Sequence, residues 1–180
     1  MKSMKLAVSG SHQTGKTTLI GDLADSLPLF NPVNEPYYQL LEDGHIFSEM
    51  PGREDFELQL ERSIKSLSES SGNLLFDRCP YDIIAYLLTL EGSPVFDQGK
   101  WLKMVEGAIQ CVDLVIFVPI EDRDRVPVPA SEYAGLRRRV DRELREIVLE
   151  DRFDFGVPAI EVTGSTKERV RQVLEAAQLK

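Results

Sequence analysis

Nine consecutive residues, Gly10-Ser11-His12-Gln13-Thr14-Gly15-Lys16-Thr17-Thr18, constrain this chain more than any other stretch. They match the spacing G-x-x-x-x-G-K-[ST], and their surroundings suit it. Lys5–Ser9 (Lys-Leu-Ala-Val-Ser) reads as a buried strand before the loop, and Leu19, Ile20 and Leu23 begin a helix after it. The glycines let the backbone curl until its N–H groups converge on a phosphate. Lys16 adds a point charge that reaches the β- and γ-phosphates, and the Thr17 hydroxyl is a ligand of the kind Mg2+ takes. The helix that follows contributes its positive N-terminal end. All nine residues are therefore expected to bind a nucleoside triphosphate, with His12 able to contact phosphate from within the loop.

The rest of the chain alternates short apolar runs with longer amphipathic segments. Leu74–Asp77, Asp113–Pro119 and Pro158–Val162 read as further strands, with Pro32–Glu35 a weaker one. Helical spacing follows in Phe56, Leu60, Ile64 and Leu67, and again in Trp101, Met104, Val105, Ala108 and Ile109. Tyr133, Leu136, Val140, Leu144, Ile147 and Val148 form a third stripe, and Val170, Val173, Leu174 and Ala177 a fourth. Strand and helix alternating from end to end predict an α/β fold, a parallel sheet sandwiched by helices, in one domain over residues 1–180. A formal charge of −9 argues against a nucleic-acid surface, and no apolar run approaches the ~20 residues of a membrane span. Leu6-Ala7-Val8 is too short for a signal-peptide core, and Cys79 and Cys111 are too few for a disulfide scaffold, so a cytoplasmic protein is expected. Neither His12 nor His45 has a partner at metal-site spacing.

Four further groups carry candidate chemistry. Asp77 and Arg78 end the third strand, where a carboxylate can hold Mg2+ or take a proton from a substrate hydroxyl and a guanidinium can reach phosphate; an ordinary strand-end salt bridge is the alternative. The strand ends in Asp-Arg and not in the Asp-Glu of an ATP-driven motor, which suits an organic acceptor better than an activated water. Glu35 follows the second strand, where the topology turns it toward the same crevice, with Tyr37 and Tyr38 available to stack on a ring; a solvated Glu-Pro turn is the plainer reading. Eight arginines lie between Arg123 and Arg152 with no lysine among them, starting in a Pro-rich loop (Val126-Pro127-Val128-Pro129-Ala130). Arg137, Arg138 and Arg142 are the candidates to close over a nucleotide as a lid spanning about 121–142, although Asp141, Glu143, Glu146 and Glu150 are interleaved as on a solvated helix face. Finally, Gly164 and Ser165, after Thr163, either border the nucleotide base or cap the last helix.

On these residues the chain resembles the P-loop nucleoside and nucleotide kinase superfamily, and within it the small AAA-type ATP-binding family related to nicotinamide riboside kinase domains. The matching positions are Gly10–Thr18, Glu35, Asp77-Arg78, the arginine-rich lid, and Val162-Thr163-Gly164-Ser165 with Glu168-Arg169-Val170. The resemblance implies a three-layer fold with a five-stranded parallel sheet in the order 2-3-1-4-5. It also implies ATP with Mg2+ as donor and a small nucleoside- or nucleotide-like hydroxyl compound as acceptor. Asp77 and Glu35 would share the acceptor and metal roles, with Thr17 on the metal and Arg78 on the transferring phosphate. The rival expectation is a nucleotide-dependent regulatory ATPase or switch that binds a protein partner. The place of a guanine-reading Asn-Lys-x-Asp motif is taken by Pro119-Ile120-Glu121-Asp122, and the Asp-Arg strand end with an arginine lid favours a kinase. Monomer and dimer are equally open on sequence.

Overall fold

A computed structural model describes residues 3–49, 51–90, 98–121 and 134–179. Strands β1 (Lys5–Ser9), β2 (Asn31–Val33), β3 (Leu74–Asp77), β4 (Leu114–Phe117) and β5 (Ala159–Glu161) form one sheet in the order β2-β3-β1-β4-β5. Every neighbouring pair is parallel. The register sets Val8 opposite both Asp77 and Ile116, so the chain leaves β1, β3 and β4 along one common edge. That edge collects the phosphate-type loop, the Asp-Arg pair and the Glu121 segment.

Period-two alternation divides each central strand between two cores. Leu6, Val8, Leu75, Leu114 and Ile116 pack on one face, with Leu19, Ile20 and Leu23 of α1 (Lys16–Ser26) and Val173 of α7 (Thr166–Ala176). Ala7, Leu74, Phe76, Val115 and Phe117 pack on the other, against α3 (Arg53–Glu69), α4 (Pro80–Thr89), α5 (Gln98–Ile109) and α6 (Ala134–Leu144). Both faces are covered, which is why the strands read as continuous apolar runs.

The strands are shorter than the apolar runs that announce them. Pro32–Glu35 becomes Asn31–Val33, and Glu35 instead caps α2 (Pro36–Glu42), whose first residue is proline. Asp113–Pro119 and Pro158–Val162 contract to Leu114–Phe117 and Ala159–Glu161. The stripe from Leu136 to Val148 runs through α6 and one wide turn, Arg145–Leu149, of i→i+5 type; Tyr133, the Pro-rich loop, Arg123 and Arg125 lie outside the described residues. Helix α4 has no sequence stripe because it is buried nearly all round, from Pro80 through Thr89.

Asp82 in the first turn of α4 ties this helix to the strand edge. It is fully buried. Its Oδ2 accepts from Ser9 Oγ (2.8 Å) and the Cys79 N–H (3.0 Å), and its Oδ1 from the Gly10 N–H (3.0 Å) and Arg78 Nη1 (3.4 Å). One carboxylate thus holds the end of β1, the start of the loop and the start of α4. Asp82→Ala leaves a hydroxyl, two amides and a guanidinium without their acceptor, and should cost about 3–5 kcal/mol of unfolding free energy in a urea titration.

Candidate functional site

Gly10 is required by close approach: a Cβ there would lie 2.5 Å from the Val118 carbonyl oxygen. Gly15, at φ 88 and ψ 22, sits in the left-handed region and caps α1. Between them the loop is held by its carbonyls. Arg78 Nη1 donates to Gly10 O (3.1 Å), Lys16 Nζ to Ser11 O (2.6 Å), Arg137 Nε and Nη2 to His12 O and Gln13 O (3.0 and 3.3 Å), and Arg169 Nη1 to Thr14 O (2.8 Å). Each planar trans peptide points its N–H away from its carbonyl, so a cation on each oxygen also sets the direction of the next amide.

Lys16 is buried, and burial followed by repulsion from Arg78 pulls its pKa from 10.5 down to about 7. At the end of β3, Asp77 Oδ2 accepts from the Thr17 hydroxyl at 3.0 Å, while its buried Oδ1 has no partner among the described residues. Burial raises the Asp77 pKa, opposed by the positive charges of Lys16 and Arg78. A hydroxyl and an unsatisfied carboxylate oxygen make a hard oxygen pair that fits Mg2+.

Arg78, at φ 71, joins two of the predicted residues. Its Nε donates to Glu35 Oε2 at 2.5 Å, and its guanidinium lies 5.5 Å over the Tyr86 ring. Tyr86 in turn stacks on Phe56 (5.2 Å, 8° between planes), and its hydroxyl is 3.2 Å from His12 Nδ1. Glu35, Arg78, Asp77 and the loop therefore meet at one edge. Arg78, expected on the transferring phosphate, is engaged in this structure by Glu35, Gly10 and Asp82, because a partly buried guanidinium needs acceptors for its donors. Tyr37, expected to stack on a ligand ring, stacks on Phe47 at 4.4 Å; Tyr38 meets Tyr37 edge-on and remains exposed.

The three arginines of the expected lid separate. Arg137 is buried against the loop. Arg138, one residue along the helix, is exposed, and Arg142 is exposed on the rim of a cleft of about 250 Å³ formed with Leu88, Thr89, Leu90, Arg139 and Glu143. Successive helical residues diverge by ~100°, so adjacent arginines cannot all reach one loop. Arg145 pairs with Glu161, and Arg152 with Glu143 and Glu146. Gly164 and Ser165 realise the capping alternative. Ser165 and Glu168 form a reciprocal capping box on α7, and the Gly164 N–H goes to Glu121 Oε1 at 2.9 Å. Thr18 is exposed on α1.

Sequence reasoning missed Asp82, Tyr86 and Glu121. Asp82 carried a signal, since Cys79-Pro80-Tyr81-Asp82 has proline at the first helical position and an acid at the third. Tyr86 and Glu121 carried none, because their partners lie far away in sequence.

Fold and loop together define a P-loop α/β domain. A family model described as an AAA domain matches residues 5–169, and the chain belongs to that family. No curated protein matches it in sequence. Among solved structures it is similar to deoxyadenosine kinase from M. mycoides with bound dATP (16% identity, TM-score 0.67, covering 97% of this chain and 99% of that one). It is similar as well to thymidylate kinase from Ehrlichia chaffeensis (14%, TM-score 0.69, 99% and 100%). A third is the NadR protein in complex with NAD and AMP-PNP (21%, TM-score 0.70), where it covers 99% of its own length and 50% of NadR. Among the described residues no helix is long and apolar enough to cross a membrane.

The low Lys16 pKa has two measurable consequences. Folding lowers it, so the folded state gives up this proton first, and the contribution of Lys16 to stability is smallest below about pH 7 and grows as pH rises toward 10.5. A polyphosphate beside the amine favours its charged form, so when tripolyphosphate binds, Lys16 should take up a proton at about pH 8.5 and almost none at about pH 6, apart from protons the ligand itself releases. Calorimetry in buffers of unequal ionisation enthalpy reads this uptake, and Lys16→Ala should abolish it.

Proposed function

We propose that this protein is an ATP-dependent kinase that transfers the γ-phosphate to a hydroxyl of a small nucleoside- or nucleotide-like acceptor. The observation that carries the reading is the grouping of Glu35, oriented by Arg78 at 2.5 Å, with Asp77 and Lys16 along the edge where the loop lies. The dATP and AMP-PNP complexes of the similar structures support an ATP-like donor. We place the activity in one domain over 1–180, in the cytoplasm.

Loop amides and Lys16 hold the β- and γ-phosphates and lessen the charge that builds up between them. Thr17 and Asp77 would hold Mg2+, which when bound supplies further neutralisation of those phosphates. Glu35, its carboxylate held by Arg78, accepts the proton of the acceptor hydroxyl as that oxygen bonds to the γ-phosphorus. The bond from phosphorus to the β–γ bridging oxygen breaks, and ADP leaves with the electron pair. Arg137 acts through the loop, and Arg138 and Arg142 belong to a lid of about 121–142 that brings guanidinium to the transferring group.

A transfer assay with γ-labelled ATP across nucleosides, nucleotides and vitamin-like ribosides should yield a labelled organic product; label released only as inorganic phosphate would instead identify a regulatory ATPase. With the acceptor known, Asp77→Asn and Glu35→Gln should each lower kcat at least about 10²-fold. The lid has its own test in Arg138→Lys and Arg142→Lys, which keep charge and remove the planar fork. At least one should lose about 10³-fold in kcat with little change in Tm, whereas exposed surface pairs contribute about 0–1 kcal/mol. Normal turnover by both would leave Arg138 and Arg142 on a solvated helix face.

A further inference from the structure

Arg169 lies on α7, 155 positions along the chain from the loop residue it touches. Its Nη1 donates to Thr14 O at 2.8 Å and its Nη2 to Glu121 Oε1 at 2.7 Å. The same Glu121 oxygen accepts the Gly164 N–H at 2.9 Å. The Ser165–Glu168 capping box sets the first turn of α7, and with it the direction in which Arg169 leaves the helix. Only 5% of Arg169 is exposed, and its Nε is buried without a partner among the described residues. A buried ion pair with an unsatisfied donor is a poor source of stability, since well-packed apolar side chains of similar volume commonly do as well or better. Its position on the loop suggests another use.

Thr14 is followed by Gly15, held at φ 88. Glycine has nearly equal access to both signs of φ, so the Thr14–Gly15 peptide can turn over at little steric cost. Turning it over would reverse the Gly15 N–H. An acceptor-seeking guanidinium on Thr14 O opposes that rotation and keeps the amide pointing away from α7.

We propose that Arg169 is a positioning residue for phosphate binding: braced by Glu121, it pins the Thr14–Gly15 peptide so that the Gly15 amide faces the polyphosphate. This rests on the loop's reading as a phosphate site, but not on transfer to any acceptor. Glu121, in the segment that leaves β4, thereby links the β5–α7 turn to the loop through one carboxylate.

The test is calorimetric titration of the full chain with Mg·ATP and, separately, with tripolyphosphate, which has no base or ribose. Arg169→Lys keeps the charge but cannot span Thr14 O and Glu121 with one fork. Its affinity for both ligands should fall by the same factor, roughly tenfold, the scale of one charge-assisted hydrogen bond. In turnover the KM for ATP should rise by that factor with kcat little changed. Glu121→Gln, which keeps the shape and removes the brace, should weaken both ligands in parallel by a smaller factor, and it stands as the test if Arg169→Lys does not fold. A loss confined to ATP would assign the pair to the nucleoside side through Gly164 and overturn the proposal, as would unchanged affinity for both ligands. A parent that binds both ligands but transfers phosphate to nothing would remove the kinase reading and leave this one standing. A parent that binds neither would remove both.

Discussion

The site depends on a run of backbone carbonyls answered by cations. From Gly10 to Thr14, each oxygen receives a donor from Arg78, Lys16, Arg137 or Arg169. These side chains come from the β3 edge, from α1, from α6 and from α7, so three helices and a strand end must be in place before the loop has one shape. A free loop rich in glycine would lose much conformational entropy on binding an anion. Here that ordering is done during folding, and the amides are set by the peptide planes whose oxygens are held.

Gathering so much positive charge in one place is costly unless carboxylates accompany it. Arg78 is shared between Glu35 and Asp82, and Arg169 is paired with Glu121. Among the described residues Lys16 has no such intimate partner. Its Nζ donates to a neutral carbonyl, and burial with a neighbouring arginine favours its uncharged form. The same arrangement leaves Asp77 with one oxygen unsatisfied beside Thr17. The charges of Arg78 and Arg169 are thus compensated by carboxylates of the protein, whereas Lys16 and one Asp77 oxygen show no such pairing among the described residues.

Much of this was readable in the chain. The loop identifies itself because Gly10, Gly15, Lys16 and Thr17 act at fixed short spacings, between a strand and a helix that also announce themselves. The parallel sheet follows from apolar runs covered on both faces. Helix α4 escaped notice because burial on every side erases the periodicity by which helices are read, and its cap at Cys79-Pro80-Tyr81-Asp82 was the remaining sign. Arginine density between Arg123 and Arg152 singled out Arg137 and Arg138 alike, and composition could not separate the first, buried against the loop, from the second, which the helix turns outward.

By itself the sequence determined the fold class, the loop and the chemical kind of residue at each strand end, since these depend on local spacing and on hydrophobic period. Tertiary structure alone decided which charges meet. Glu35 finds Arg78 across 43 positions, and Arg169 finds Thr14 across 155. Both pairings follow from the β2-β3-β1-β4-β5 order, which aligns the strand ends along one edge. Electrostatic partnership acts through space over a few ångströms, and only the sheet order and helix packing bring distant residues to that range.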